Sequence, residues 1–293
     1  MPDNLKNTFP TGLHYMLLSA LGFSLMAACV KLVGQHGIPV FEIVAARALV
    51  SLTISYLDVK RKNLSVWGHN RPLLLARGAV GTIALICIYY AITTLPLAEA
   101  ITLQYLHPVF TALLALVFLK ERIQRSTLLC IALSLAGLMI MVKPDLLFSN
   151  TTTLPLPWLS VSAALLGALG SGIAYVIVKR LSQNEDSSVI IFYFPLIALP
   201  ISIFLLGDNF VMPSSEALVL LLLVGIFTQI GQVGLTKGMQ TLTASKATSY
   251  SYVQVLLSIL LGWMVFNDLP SLWTWVGGGL IMAGALVNLL WKR

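Results

Sequence analysis

The chain has 293 residues, 58% apolar and only 10% charged, with a mean hydropathy of +0.90 and a net charge of +7. A soluble chain carries about 25% charged residues, so too little polar surface exists here to cover a globule, and the same figures exclude disorder. At roughly 20 apolar residues per crossing, the length suffices for about ten crossings, and the sequence reads as an integral membrane protein.

The polar N-terminus gives way at Thr11 to an apolar run longer than a signal-peptide core, with no small-residue cleavage site, so the first span is expected to be retained. Ten helices are expected, at Leu13–Val33, Pro39–Leu57, Leu73–Ile92, Leu97–Leu119, Ser126–Met141, Pro157–Val178, Ser188–Leu206, Glu216–Thr236, Ala247–Phe266 and Ser271–Leu290. Lipid cannot satisfy an open backbone, and the pattern lacks the alternation of barrel strands. With both termini placed in the cytoplasm, 15 of the 18 basic residues fall on the inner side, Arg77 among them, leaving Lys31, Arg47 and Lys143 in outer halves. That distribution argues against a nucleic-acid partner, because the bases gather at span ends instead of forming a patch. Cys29, Cys87 and Cys130 lie in apolar runs without metal-ligand spacing, so no metal or other cofactor is expected.

The chain also repeats itself. At an offset of 147, Thr94–Ala100 lies over Thr241–Ala247, and Tyr105 meets Tyr252 without a gap. Ala115 then meets Gly262, Glu121 meets Asp268, and Ala136-Gly137 meets Ala283-Gly284. Near the start of each half an offset of 148 pairs Ala20-Leu21-Gly22 with Ala168-Leu169-Gly170, and Lys31 with Lys179. Residues 1–143 and 157–293 therefore form two five-helix halves joined by 144–156. An odd number of crossings turns the second half upside down, and inverted repeats place a substrate site near the midplane at their interface.

Ala98-Glu99-Ala100, Pro108-Val109-Phe110, Phe118 to Arg122, Arg47, and Ala136-Gly137 before Lys143-Pro144 resemble the EamA repeat of the drug/metabolite transporter superfamily. The resemblance covers nearly the whole chain. It implies an all-α membrane protein of ten helices in two inverted repeats, with the fifth and tenth helices peripheral. It also implies a carrier working by alternating access, often an exporter of amino acids and related metabolites. Other members carry nucleotide sugars, phosphorylated sugars, riboflavin or adenosylmethionine. The second half departs from the pattern at Val255, where the proline matching Pro108 is missing, which leaves the equivalent kink open.

A charge at a helix centre costs about 3 kcal/mol on insertion scales and usually faces a cavity or a partner. Arg47 is the one full charge read as central. It is either a fork for a substrate carboxylate or phosphate, or a structural partner of Glu42 or Glu99. The fourth span carries Thr102, Gln104, Tyr105 and His107 ahead of a kink at Pro108, which frees a carbonyl tolerable only beside protein or water. Tyr252 and Gln254 match them in the second half. Gln229, which shares a face with Gln232, and Tyr175 add polar groups, and Tyr89 an aromatic wall. No carboxylate sits at mid-depth, so transport is expected to be facilitative, or any proton coupling to pass through His107. A membrane-embedded enzyme is the rival from another class, but the four scattered histidines offer no catalytic pairing. A structural or channel-like component is the other rival. The partners expected are a small polar solute and the bilayer of a bacterial inner membrane, with homodimer formation left open.

Overall fold

The computed structural model describes residues 11–94, 103–142, 158–267 and 272–291. Among them the regular structure is entirely helical: α1 (Thr11–Gln35), α2 (Val40–Arg61), α3 (Arg71–Thr94), α4 (His107–Phe118), α5 (Arg125–Val142), α6 (Trp158–Leu181), α7 (Ser187–Leu206), α8 (Ser215–Thr241), α9 (Ala244–Ser249), a 3-10 turn at Tyr250–Tyr252, α10 (Val253–Phe266) and α11 (Leu272–Leu290). Eight segments are long and apolar enough to cross a bilayer, counting Ala244–Phe266 as one; α4 and the Arg125–Ile140 part of α5 are apolar but shorter. The ten expected crossings thus reduce to eight by length among the described residues. The shortfall at the fourth adjoins residues 95–102, which lie outside them, as do Glu99, Thr102 and the connector 144–156.

Helix starts are set by local chemistry. Asp186 caps α7 by accepting from the Ser188 N–H (2.8 Å), and Ser214 caps α8 by accepting from Ala217 (3.2 Å). At α3 Asn70 caps locally by accepting from the Leu73 N–H (3.3 Å), and the other half adds the buried Glu185 carboxylate, which accepts the His69 and Asn70 N–H groups, both at 2.6 Å. A carboxylate there also meets the positive end of the helix dipole. Reciprocally, Glu121 of the first half accepts from the Ala244 N–H (2.8 Å), where α9 begins. Burial pushes the Glu121 carboxyl up, against the opposing pull of that N–H and of Lys179.

The most extensive helix contacts all cross between the halves: α1 with α8, α3 with α6, α2 with α7 and α5 with α11. Exchanging each helix for its counterpart in the other half maps this set onto itself. The fit extends to single residues. A Cβ on Gly78 would come within 2.5 Å of Ile197, and one on Gly225 within 2.4 Å of Val50. Gly137 approaches the Gly277 carbonyl and Gly284 the Cys130 carbonyl, at 2.5 and 3.0 Å from the same hypothetical atom. In both cases the two contacts exchange under the shift of 147. Small residues are what lets such helices approach closely without a hydrophobic driving force between them.

Candidate functional site

The fourth and ninth segments are both interrupted, and at matching places. In the first half Tyr105 and Leu106 form a turn before α4 starts at His107, with Pro108 in its opening turn. A proline there loses nothing, because the first N–H groups of a helix lack intrahelical acceptors anyway. Pro108 therefore starts a helix, where the sequence suggested a mid-helix kink. The second half breaks at the 3-10 turn Tyr250–Tyr252, although Val255 stands where a proline was expected. The two breaks touch. The Tyr252 hydroxyl donates to the Tyr105 carbonyl at 3.0 Å, across a separation of 147 residues, and the two rings stack with centroids 5.9 Å apart. One break thus satisfies a carbonyl released by the other.

His107 follows directly. It is 7% exposed, its ring lies 5.9 Å from Tyr105 and meets Tyr175 edge-on at 5.3 Å, and its Nδ1 has no hydrogen-bond partner among the described residues. Tyr175 leads on to a cation the sequence reading grouped with the bases of the inner loops. Arg77 lies in α3, 3% exposed, within electrostatic reach of Tyr175 and of Arg47. Its Nη2 reaches Gln232 Oε1 at a long 3.4 Å, and its Nε has no partner among the described residues. Gly81, one turn on, makes room for the guanidinium: a Cβ there would lie 2.4 Å from Arg77 Nη1.

Both guanidiniums share one aromatic ring. The Cζ atoms of Arg77 and Arg47 lie 4.8 and 5.7 Å from the centroid of Phe194 on α7. Desolvated cation–π contacts contribute about 2 kcal/mol each. The two cations are no further apart than the sum of those distances, so with an effective dielectric near 20 they repel by at least about 1.5 kcal/mol. Arg47, 7% exposed, has one further polar contact among the described residues, with the Met26 sulfur at 3.9 Å. It does not pair with Glu42, whose carboxylate accepts from the Val211 N–H at 2.9 Å. Among the described residues neither arginine has an ion-pair partner; the pairs present there involve Asp58, Asp186 and Glu185.

Gln229 continues the polar wall on α8, accepting from Ser51 (2.6 Å) and donating to Ser55 (2.8 Å) of α2. It lines a cleft of about 460 Å³ that widens between α2, α7 and α8 towards Asp58, Lys62, Ser188 and Lys237. Across that mouth Lys62 bonds Asp186 (2.9 Å) and Ser188 (2.8 Å), and Ser188 donates to Asp58. Partial burial works against both charges of the Lys62–Asp186 pair. The mutual attraction and hydrogen bonds prevail, holding the lysine above its ordinary range and the aspartate below. At the other end Val33, Ile38, Ile43, Ala217 and Val224 pack closely.

The fold therefore brings five of the sequence candidates near one another: Tyr252, Tyr105, His107 and Tyr175 through successive ring contacts, and Arg47 on the Phe194 ring it shares with Arg77, which lies within electrostatic reach of Tyr175, with Gln229 at the cleft. It separates three others. Tyr89 lines a small apolar crevice with Phe41 and Ala198. Gln104 is half-buried ahead of the break, without a hydrogen bond to another described residue. Gln254 contributes its backbone carbonyl, which accepts from Ser24 Oγ at 3.0 Å. Arg77 and Phe194 were missed. A signal existed for Phe194, the counterpart of Arg47 at the repeat offset; Arg77 stands near the start of its helix, where a base at the membrane edge is the ordinary reading.

The profile of the EamA-like transporter family matches residues 10–143 and again 158–290. The chain belongs to that family. This EamA protein is 30% identical over 279 residues to a pseudopaline exporter of Pseudomonas aeruginosa, covering 94% of this chain and 95% of the exporter. It is 28% identical to solute carrier family 35 member G1 of Mus musculus, over 92% of this chain and 75% of that one. A solved crystal structure shares the EamA fold with a TM-score of 0.83 at 19% identity, covering 94% of this chain and 96% of that one. The relatives and the family are transporters, so this is an integral membrane transporter of the drug/metabolite type and not an enzyme.

Proposed function

We propose that this EamA protein exports a small polar metabolite carrying a carboxylate, an amino acid or related compound, across a bacterial inner membrane by alternating access. The observation that carries this reading is the buried chain from Arg47 to Tyr252. It gathers guanidiniums without an ion-pair partner among the described residues, and hydroxyls, where the halves meet, beside two broken helices, with a cleft lined by Gln229. Broken helices at a repeat interface are where carriers of this build hold their solutes. Ten crossings in two inverted repeats, 1–143 and 157–293, put both termini in the cytoplasm. The cleft then opens inward, the side from which an exporter loads.

Counterflow of radiolabelled amino acids in proteoliposomes tests the function, and saturable flux is expected. Rapid exchange of an organic phosphate with no amino-acid flux or binding would overturn the solute class. For topology, cysteines placed at Asn70 and Asn150 in a cysteine-free background should label from opposite faces; labelling from one face would sink the ten-crossing arrangement.

A further inference from the structure

Arg77 is the most unusual charge in the protein. It sits inside an apolar helix, 3% exposed; among the described residues one of its nitrogens has no partner and another makes one long bond to an amide oxygen. A second buried cation, Arg47, lies on the same phenylalanine ring. Like charges desolvated side by side destabilise one another, and among the described residues no carboxylate is paired with either. Charges kept inside a membrane bundle face a ligand, a partner or water. The planar guanidinium fork matches a carboxylate with two parallel hydrogen bonds. Two such forks on one aromatic ring match two anionic groups of a single solute, with the ring beside its apolar atoms.

The slot for Arg77 is a local feature of the sequence. Gly81 presents no side chain where one would collide with Nη1 and come within 3.1 Å of the Phe194 ring. At the equivalent position of the second half stands Thr228, and opposite Arg77's own position stands Val224. Only the first half has both the arginine and the gap that receives it.

We infer that Arg77 is a second anion anchor of the transport site, and that the site's ligand class is a metabolite with two carboxylates, one bound at Arg47 and the other at Arg77, beside Phe194. This rests on the reading of the bundle as a carrier and narrows its solute. Both cations come from the first half, and the second supplies the Phe194 ring that both approach.

The test is binding of α,ω-dicarboxylates of four to eight carbons and of their half-amides to the purified full-length protein, by calorimetry at fixed ionic strength. At least one diacid should bind tenfold or more tightly than its half-amide. Arg77→Gln should bring that ratio close to one. Gly81→Ala, which crowds the flexible head of Arg77 and not the backbone, should reduce the ratio without loss of folded protein. Should Arg77→Gln fail to fold, Arg77→Lys and Gly81→Ala read out the same ratio. Equal response to diacid and half-amide, the absence of any response included, overturns the proposal, as does a preference unchanged by these substitutions. Diacid preference without saturable flux would instead overturn the carrier reading and leave the two-anion site standing.

Discussion

Arg47 looks across an interface at its own counterpart, and the counterpart is Phe194. The same holds along the rest of the site: Arg77 corresponds to Val224, Gly81 to Thr228, His107 to Gln254 and Pro108 to Val255. Backbone contacts meanwhile obey the duplication residue by residue, as Gly78 against Ile197 and Gly225 against Val50 demonstrate. Packing needs both halves to present the same small residues at the same places, because each half is the other's surface. Binding needs no such equality. A solute with a charged end and an apolar middle is better held by a site with guanidiniums from one half and an aromatic ring from the other.

Substitutions that make the halves alike are the strongest way to break this comparison. Arg47→Phe gives the first half the residue of the second and should abolish saturable flux in proteoliposomes, a loss of at least tenfold, with the protein still folded. His107→Gln does the same at the helix break. If an imposed pH gradient drives accumulation in the wild type, this substitution should remove it, because the only imidazole of the chain of contacts is gone. Accumulation surviving it would transfer the coupling to Glu42 or Glu99.

Matched glycines sharpen the structural side. A Cβ on Gly22 would stand 2.7 Å from the Gly231 backbone nitrogen, whereas one on Gly170 would stand 3.0 Å from the Ala84 side chain. Backbone at a helix crossing yields less readily than a methyl group. Gly22→Ala is therefore expected to cost about 2–3 kcal/mol and Gly170→Ala about 1 kcal/mol or less, read as melting temperatures in detergent. The stacked tyrosines differ in the same spirit. Tyr252→Phe strands a buried carbonyl and should cost about 1–2 kcal/mol, whereas Tyr105→Phe, whose hydroxyl makes no such bond, should leave the melting temperature almost unchanged.

The smallest effect belongs to the cleft mouth. Asp186, held low, contributes stability above its ordinary range that fades as pH falls through the folded value; Lys62, held high, contributes below its ordinary range and fades only as pH rises through its own. Their pairing should hold across neutral pH. Because both side chains remain about one-third exposed, Lys62→Met is expected to cost less than about 1 kcal/mol. Glu121 runs the other way. Its carboxyl is raised by burial, so its contribution to stability declines as pH rises through the folded value, and Glu121→Gln should flatten that part of a melting curve against pH.

Membrane class, helical build and duplication were legible in the order of residues, which also offered Arg47, Tyr105, His107 and Tyr252 as candidates. Composition sets the solvent, apolar run length sets the spans, and a repeat declares itself by offset. The chain could not reveal that Arg77 is interior and not a base at a membrane edge, since hydropathy reports depth along one helix and not the side it presents to others. Nor could it reveal that the second half breaks its ninth segment without a proline. There the break is stabilised from across the interface, by the Tyr252 hydroxyl on the Tyr105 carbonyl. Local sequence determines which segments are helical and apolar, because those depend on neighbours within a turn or two. Only the tertiary structure decided which polar groups are left facing one another, because a buried charge takes its meaning from helices more than a hundred residues away.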